Sequence, residues 1–249
     1  MGPPVTHRFE ALPSTQDALH ELAQNGAPPG TAVVAQRQTL GRGSRGRGWE
    51  SPAGGLWLSV LCRPPGDLAM EVLSLRVALA VADAIEHACT GVTLQLKWPN
   101  DLMLGGLKLG GILCEARWHG GTLGWVAVGV GMNVVNPIPE ALRNSANALA
   151  SVTTSATPEA LTEPLARAIA SSGQRGGLLT AREVERFRCR DWLLGKPLTT
   201  PGQGIAEGVA EDGSLIVRGD GGASTRFRTG TVTLAPDVQP RLPPLTSNP

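Results

Sequence analysis

The chain has 249 residues, 41% hydrophobic and 17% charged, and its 22 Lys and Arg against 21 Asp and Glu leave a net charge of +1. That balance supports the core of one large domain, or a large domain with a small appendix, and excludes disorder and a general electrostatic pull toward nucleic acid. No apolar run approaches the ~18 residues of a membrane span, MGPPVTHRFEAL has no signal-peptide core, and the four cysteines form no CxxC pair, so buried, reduced thiols and a cytoplasmic location are expected.

Residues 5–11 read as a short first strand. PSTQDALHELAQNG then carries a helix start, with Ser14 as N-cap, Asp17 three residues on, apolar Ala18, Leu19 and Leu22, and Gly26 as terminator. TAVVAQRQT and GGLWLSVLCR are apolar strands flanking a Gly/Arg loop. Residues 67–89 hold helical spacing without an internal Gly or Pro, which predicts a long buried helix. VTLQLKWPNDLML and LKLGGILCEARW are strands joined at Gly105-Gly106, and GTLGWVAVGVGMNV follows at hairpin distance. Helices are expected over 137–150, 157–172 and 179–194. From about Lys196, short strands alternate with Gly turns, including Asp212-Gly213 and Asp220-Gly221, which predicts a small β-barrel-like module. The proline-rich tail DVQPRLPPLTSNP is expected to fray.

The most informative stretch is QRQTLGRGSRGRGW, residues 36–49, which packs four glycines and Arg42, Arg45 and Arg47 into eight residues with no carboxylate. Glycine lets successive N–H groups approach one anion, and the guanidinium fork matches phosphate or carboxylate oxygens. A loop tied at both ends to strands suits a lid over an anionic ligand better than a disordered RNA-binding segment. No P-loop is present. Gly41, Gly43 and Gly46 have dinucleotide-fingerprint spacing, but Pro52, Gly54 and Gly55 forbid the helix that fingerprint opens.

Three further segments carry chemistry. Lys97-Trp98-Pro99-Asn100-Asp101 sets a cation, an amide and a carboxylate around a proline at a strand end, a pattern otherwise read as a surface turn. Lys108 lies between leucines in an apolar strand, where it needs an anionic partner, unless it simply faces outward; no acid nearby in sequence is an obvious choice. Gly129-Val130-Gly131-Met132-Asn133 ends a strand with room for close backbone approach. Only three of the 22 basic residues are lysine (Lys97, Lys108 and Lys196), and two of them fall in these segments.

Together these motifs resemble the biotin–protein ligases: GRGxxGRxW at Gly41–Trp49, KWPND at Lys97–Asp101, the GxKxxGIL-type strand from Gly106, and GxGxN at Gly129–Asn133, with Ser14-Thr15-Gln16 in place of Ser-Thr-Asn. The resemblance covers roughly residues 7–236. It implies an α/β (α+β) fold: a mixed sheet with flanking helices, like the class II aminoacyl-tRNA synthetase core, over 1–192, an SH3-like barrel over 193–237, and a disordered tail over 238–249. It also implies an ATP-dependent biotin–[acetyl-CoA-carboxylase] ligase that forms biotinyl-5′-AMP and transfers biotin to a lysine of a biotin carboxyl carrier domain.

The implied biotin-binding set is Ser14, Thr15, Gln16, Gln36, Gly41, Arg42, Gly43, Ser44, Lys108 and Gly111. The implied nucleotide set is Arg45, Arg47, Trp49, Lys97, Asn100, Asp101 and Asn133, with Lys108 and Arg42 catalytic and Asp101 toward Mg²⁺. Two departures stand out. Ser44 replaces a longer residue frequent in the family, which implies weaker retention of the adenylate, while Gln16 keeps the amide of the usual Asn. Because the first helix begins at Ser14, no DNA-binding domain of about sixty residues fits before it, so no DNA or membrane partner is expected, in a monomer or homodimer. The competing readings are a lipoate/octanoate–protein ligase, which usually lacks GRGxxGRxW, and an RNA-binding module, which lacks its interleaved aromatics here.

Overall fold

The apolar runs on either side of the Gly/Arg loop become the centre of a seven-stranded sheet. The structure is a computed structural model and describes residues 5–66 and 69–236. Its strands are β1 (Thr6–Leu12), β2 (Ala32–Gln38), β3 (Leu56–Cys62), β4 (Gln95–Lys97), β5 (Asp101–Leu104), β6 (Leu107–His119) and β7 (Thr122–Met132). They are ordered β1-β2-β3-β7-β6-β5-β4, with β1–β2 parallel and every other pair antiparallel. All seven residues of β3 are buried, as a central strand covered on both faces requires.

Helix α1 (Thr15–Gln24) starts where Ser14 caps it by accepting from the Gln16 N–H. It covers one face through Leu19 and Ala23, which cluster with Val33, Leu61, Trp125 and Ala127. On the other face lie α2 (Met70–Ala88), α3 (Pro158–Ser172) and α4 (Ala181–Arg190). Helix α2 buries eleven of its 19 residues, including Arg76, whose Nε donates to Glu183 on α4 at 2.9 Å. Pro99 interrupts the expected single strand, which forms β4 and β5 as separate pieces.

The helix expected over 137–150 does not form. Pro137 and Pro139 break its start, and only short 3₁₀ turns occur at Glu140–Leu142 and Leu149–Ser151. The backbone bonds that a helix would keep to itself go instead to β6: Lys108 N donates to Ser145 O, and Asn147 N donates to Lys108 O. Of the cysteines, Cys62 and Cys89 are buried, but Cys189 is exposed on α4, contrary to the expectation that all four are buried.

After α4, strands β8 (Pro197–Thr200), β9 (Gly204–Val209), β10 (Leu215–Arg218), β11 (Ser224–Phe227) and β12 (Thr233–Leu234) form an antiparallel sheet ordered β11-β10-β9-β8-β12. Among the described residues no ladder joins its edge strands β11 and β12. The boundary expected at residue 193 falls between α4 and β8, yet one hydrophobic cluster runs across it, joining Leu198, Ala206, Val209, Leu215 and Val217 to the main core. Trp98, 1% exposed, donates to Gly213 O at 2.9 Å and ties the Lys97–Asp101 segment to this sheet. The expectation of a disordered 238–249 tail lies outside the described residues.

Candidate active site

The three segments singled out in the sequence converge on a cavity of about 660 Å³, a size typical of small-molecule sites. Its wall includes the start of α1, the Gly/Arg loop, the β4–β5 connection, β6 and the end of β7.

At the α1 end, Thr15 N and Oγ1 both donate to Gln38 Oε1, at 2.8 and 3.1 Å, and Gln38 Nε2 donates to Ser51 Oγ. Gln16 Nε2 donates to the Leu113 and Ala127 carbonyls, while its Oε1 is buried without a partner. A buried amide oxygen with an unmet bond is a ready acceptor for a ligand N–H. The expected Gln36 is exposed and lies outside the cavity wall, and Gln38 takes the place assigned to it. Both residues point to one face of β2, so alternation alone does not separate them. Gln38 reaches Thr15 because it lies one repeat nearer the loop.

The loop folds on itself through Gly43 N to Arg47 O and Trp49 N to Gly41 O. Gly41 closes its base and does not line the cavity; a Cβ there would sit 2.4 Å from Trp49 O. The three arginines have separate fates. Arg42, expected to bind biotin and to act in catalysis, binds Asp17 at 2.9 and 2.7 Å and Glu115 at 2.9 and 3.0 Å, so two carboxylates hold its guanidinium and anchor the loop. Arg45, the one non-glycine residue with positive φ among those described (φ 62°), turns to Thr231, just before β12, and also lies off the cavity wall. Arg47 lines the cavity along with Gly43, Ser44 and Trp49, and Gly111 does so from β6.

Behind Arg42, Trp125 Nε1 donates to His20 Nδ1 at 3.0 Å. That bond places the ring proton on Nε2, which faces Glu115 Oε2 at 3.2 Å. Burial works to raise the Glu115 pKa, but the hydrogen bonds from His20 and Arg42 prevail and hold it at about 2.

Lys108 finds its anion in Asp101, seven residues upstream, with Nζ 2.5 Å from Oδ1. The β5–β6 hairpin brings them together, and the register shift between Leu102 and Met103 offsets the pairing. The Lys108 ammonium also lies 5.2 Å from the centroid of the Trp49 ring, whose buried Nε1 has no partner. Lys97 lines the same cavity, with its pKa pulled down first by burial, against the opposing pull of Asp101, and further by Lys108 and Arg47. Asn100 and Asn133 are also in the wall, but much of their hydrogen bonding is internal. Asn100 Nδ2 donates to Ile112 O, Asn133 Nδ2 donates to Asn147 O, and Asn133 Oδ1 accepts from Asn136. Asn133 thus shapes the site by holding the 136–147 segment, a role its motif alone does not reveal.

The arrangement offers a hydrogen-bonding pocket beside α1, a cation-rich wall around Lys108, and a glycine-hinged loop between them. Residues 8–133 match the Biotin/lipoate A/B protein ligase family. The chain belongs to that family. It is 37% identical over 203 residues to the biotin–[acetyl-CoA-carboxylase] ligase of Paracoccus denitrificans, covering 76% of this chain and 85% of that one. It is 42% identical over 147 residues to the bifunctional ligase/repressor BirA of Bacillus subtilis, but this match takes in 56% of this chain and only 44% of that protein's length. The biotin protein ligase of Aquifex aeolicus, solved with biotin and ATP, superposes with a TM-score of 0.78 at 27% identity, covering 93% of this chain and 98% of that one.

Proposed function

We propose that the chain is an ATP-dependent, AMP-forming biotin–protein ligase. The observation that carries this reading is the juxtaposition, in one cavity, of the partnerless Gln16 Oε1 and the Lys108 ammonium, with the loop between them. Ser14, Thr15, Gln16 and Gln38 hold the ureido head of biotin, and the acid's carboxylate lies toward Lys108. Lys97, Arg47 and Lys108 meet the phosphates of ATP, and Trp49 offers its indole to the adenylate.

A carboxylate and a triphosphate repel, so the first task of the site is to offset that charge. The biotin carboxylate oxygen attacks the α-phosphorus, the bond to the β,γ-diphosphate breaks, and pyrophosphate leaves. Lys108 stabilises the charge that builds on the α-phosphate oxygens. Mg²⁺, which commonly binds through one or two carboxylates plus substrate phosphates, fits Asp101 as its protein ligand, and it supplies further charge neutralisation when bound. Among the described residues no larger metal-binding cluster is present. The loop then covers the mixed anhydride and excludes water. A carrier lysine amine attacks the acyl carbon, the C–O bond to AMP breaks, and the nitrogen loses a proton as the amide forms.

The carrier is a biotin carboxyl carrier domain of acetyl-CoA carboxylase or a related carboxylase, and the reaction takes place in the cytoplasm. No helix among the described residues is long and apolar enough to cross a membrane. The testing experiment incubates the protein with ATP, labelled biotin and such a carrier domain. Label on the carrier lysine that requires ATP is expected; ATP-dependent labelling by lipoate in its place would move the chain to the lipoate branch.

A further inference from the structure

The third lysine of the chain lies outside the cavity wall. Lys196 lies just before β8, and its ammonium sits 3.3 Å from the centroid of the Trp192 ring. Lys97 approaches the same ring at 5.2 Å, and both Lys97 and Trp192 line the cavity. Lys196 itself does not line the cavity, but it stands against Trp192, which does, so the third lysine of this arginine-dominated chain lies beside the wall that holds the other two. Two ammonium groups share one indole, and neither has a carboxylate ion-pair partner among the described residues.

The nearby acids, Asp101 and Asp191, attract them from a distance without pairing with either. Asp101 is bonded to Lys108. Asp191 is buried and accepts from Leu193 N through Oδ1, and its carboxyl is pushed up to about 6 chiefly by burial. Burial is the first cause that lowers the pKa of both lysines; Asp101 opposes it for Lys97 and Asp191 for Lys196, while Lys108 and Arg47 lower Lys97 further and Lys97 lowers Lys196. A line of positive charge thus runs from Arg47 and Lys108 through Lys97 to Lys196, with Asp101 its one bonded carboxylate. A cation–π contact holds an ammonium in place at modest cost without cancelling its charge, so either lysine remains available to an arriving anion. Compact ammonium groups on flexible stems suit phosphate oxygens. With Arg42 balanced by two carboxylates and Arg45 turned away, the Gly/Arg loop supplies fewer cations to a triphosphate than its sequence implies.

We infer that Lys196, paired with Lys97 across Trp192, binds the outer two phosphates of the nucleoside triphosphate and the pyrophosphate that leaves. This rests on the ligase reading for its substrate and gives the C-terminal sheet a positioning residue in the adenylation step.

The test compares wild type with Lys196→Met, which keeps the stem over the indole, and Lys196→Arg, which keeps the charge. Three quantities are measured: the KM for ATP in biotin-dependent pyrophosphate exchange, the affinity for AMP, and the direct binding of inorganic pyrophosphate. For Lys196→Met the expected result is about a tenfold weakening toward both ATP and pyrophosphate, the effect of one charge-assisted hydrogen bond. AMP affinity and the KM for biotin stay unchanged, and Lys196→Arg recovers most of the loss. Unchanged pyrophosphate binding in Lys196→Met overturns the inference, as does an equal loss for AMP, which marks a purely structural role. Lack of exchange by the wild type sinks the ligase reading instead, while pyrophosphate binding still reports on Lys196 by itself.

Discussion

Lys108 and Asp101 meet across the β5–β6 hairpin, Nζ to Oδ1 at 2.5 Å, in the wall of a cavity that also contains Trp49 and Gln16. The lysine is thereby oriented before any substrate arrives. Its side chain is 31% exposed, so the pair adds about 1 kcal/mol or less to stability, and its main effect lies in the chemistry. Lys108→Ala is expected to slow adenylation by about 10²–10³-fold, the usual loss when a donor to transition-state charge is removed, while shifting the thermal midpoint by only a few degrees. Single-turnover formation of the adenylate, set beside thermal denaturation, checks both halves; a variant that adenylates at nearly the wild-type rate removes Lys108 from the mechanism.

The Arg42–Glu115–His20 network anchors the loop to β6 and α1 and gives stability a pH signature. Glu115 has a folded pKa of about 2 against 4.5 ordinarily, the depressed case. Its stabilising contribution is therefore complete above about pH 4.5 and is lost as pH falls toward 2. Wild type should exceed Glu115→Gln by up to about 3 kcal/mol at pH 7, and the gap should close between pH 4.5 and 2. Urea denaturation across that range is the measurement; a gap that stays constant would show that carboxylate ionisation is not its source.

Gly131 backs the Trp49 indole, and a Cβ there would lie 2.9 Å from Trp49 Nε1. Gly131→Ala should displace the ring and raise the KM for ATP by about ten- to a hundredfold, as misplacement near a reacting centre does. Steady-state kinetics against ATP and biotin separately decide the point, since an unchanged KM for ATP would show that the ring is free to move aside.

Arg76 is 2% exposed and joins α2 to α4 through Glu183 and to the chain between them through the Arg175 and Leu178 carbonyls. Arg76→Met removes the buried cation from Glu183 and leaves its carboxylate to the more exposed Arg175 and to Thr180; the expected cost is about 3 kcal/mol, with the double variant Arg76→Met/Glu183→Met recovering part of it. Chemical denaturation of Arg76→Met, Glu183→Met and the double variant tests this, and additive losses would contradict it.

The strands and long helices were legible because their periodicity is set by burial, and the loop and the Lys97–Asp101 segment because their composition is unusual. Contacts that depend on register were not legible. Asp101 reaches Lys108 only through a hairpin with a register shift, and Gln38, not Gln36, reaches Thr15 although both lie on one face of β2. The 137–150 segment carries residues compatible with a helix, yet its backbone is recruited by β6. Nor does a sequence say which arginines are free. Arg42 and Arg45 look alike in the loop, but one is neutralised by Asp17 and Glu115 and the other turns to Thr231.

The most direct test of the central claim is the exchange of labelled pyrophosphate into ATP, with biotin, lipoate and octanoate offered in parallel. Exchange that depends on biotin, with little from the other two acids, is the predicted result. Exchange driven by lipoate or octanoate in place of biotin, or by no acid at all, would contradict it.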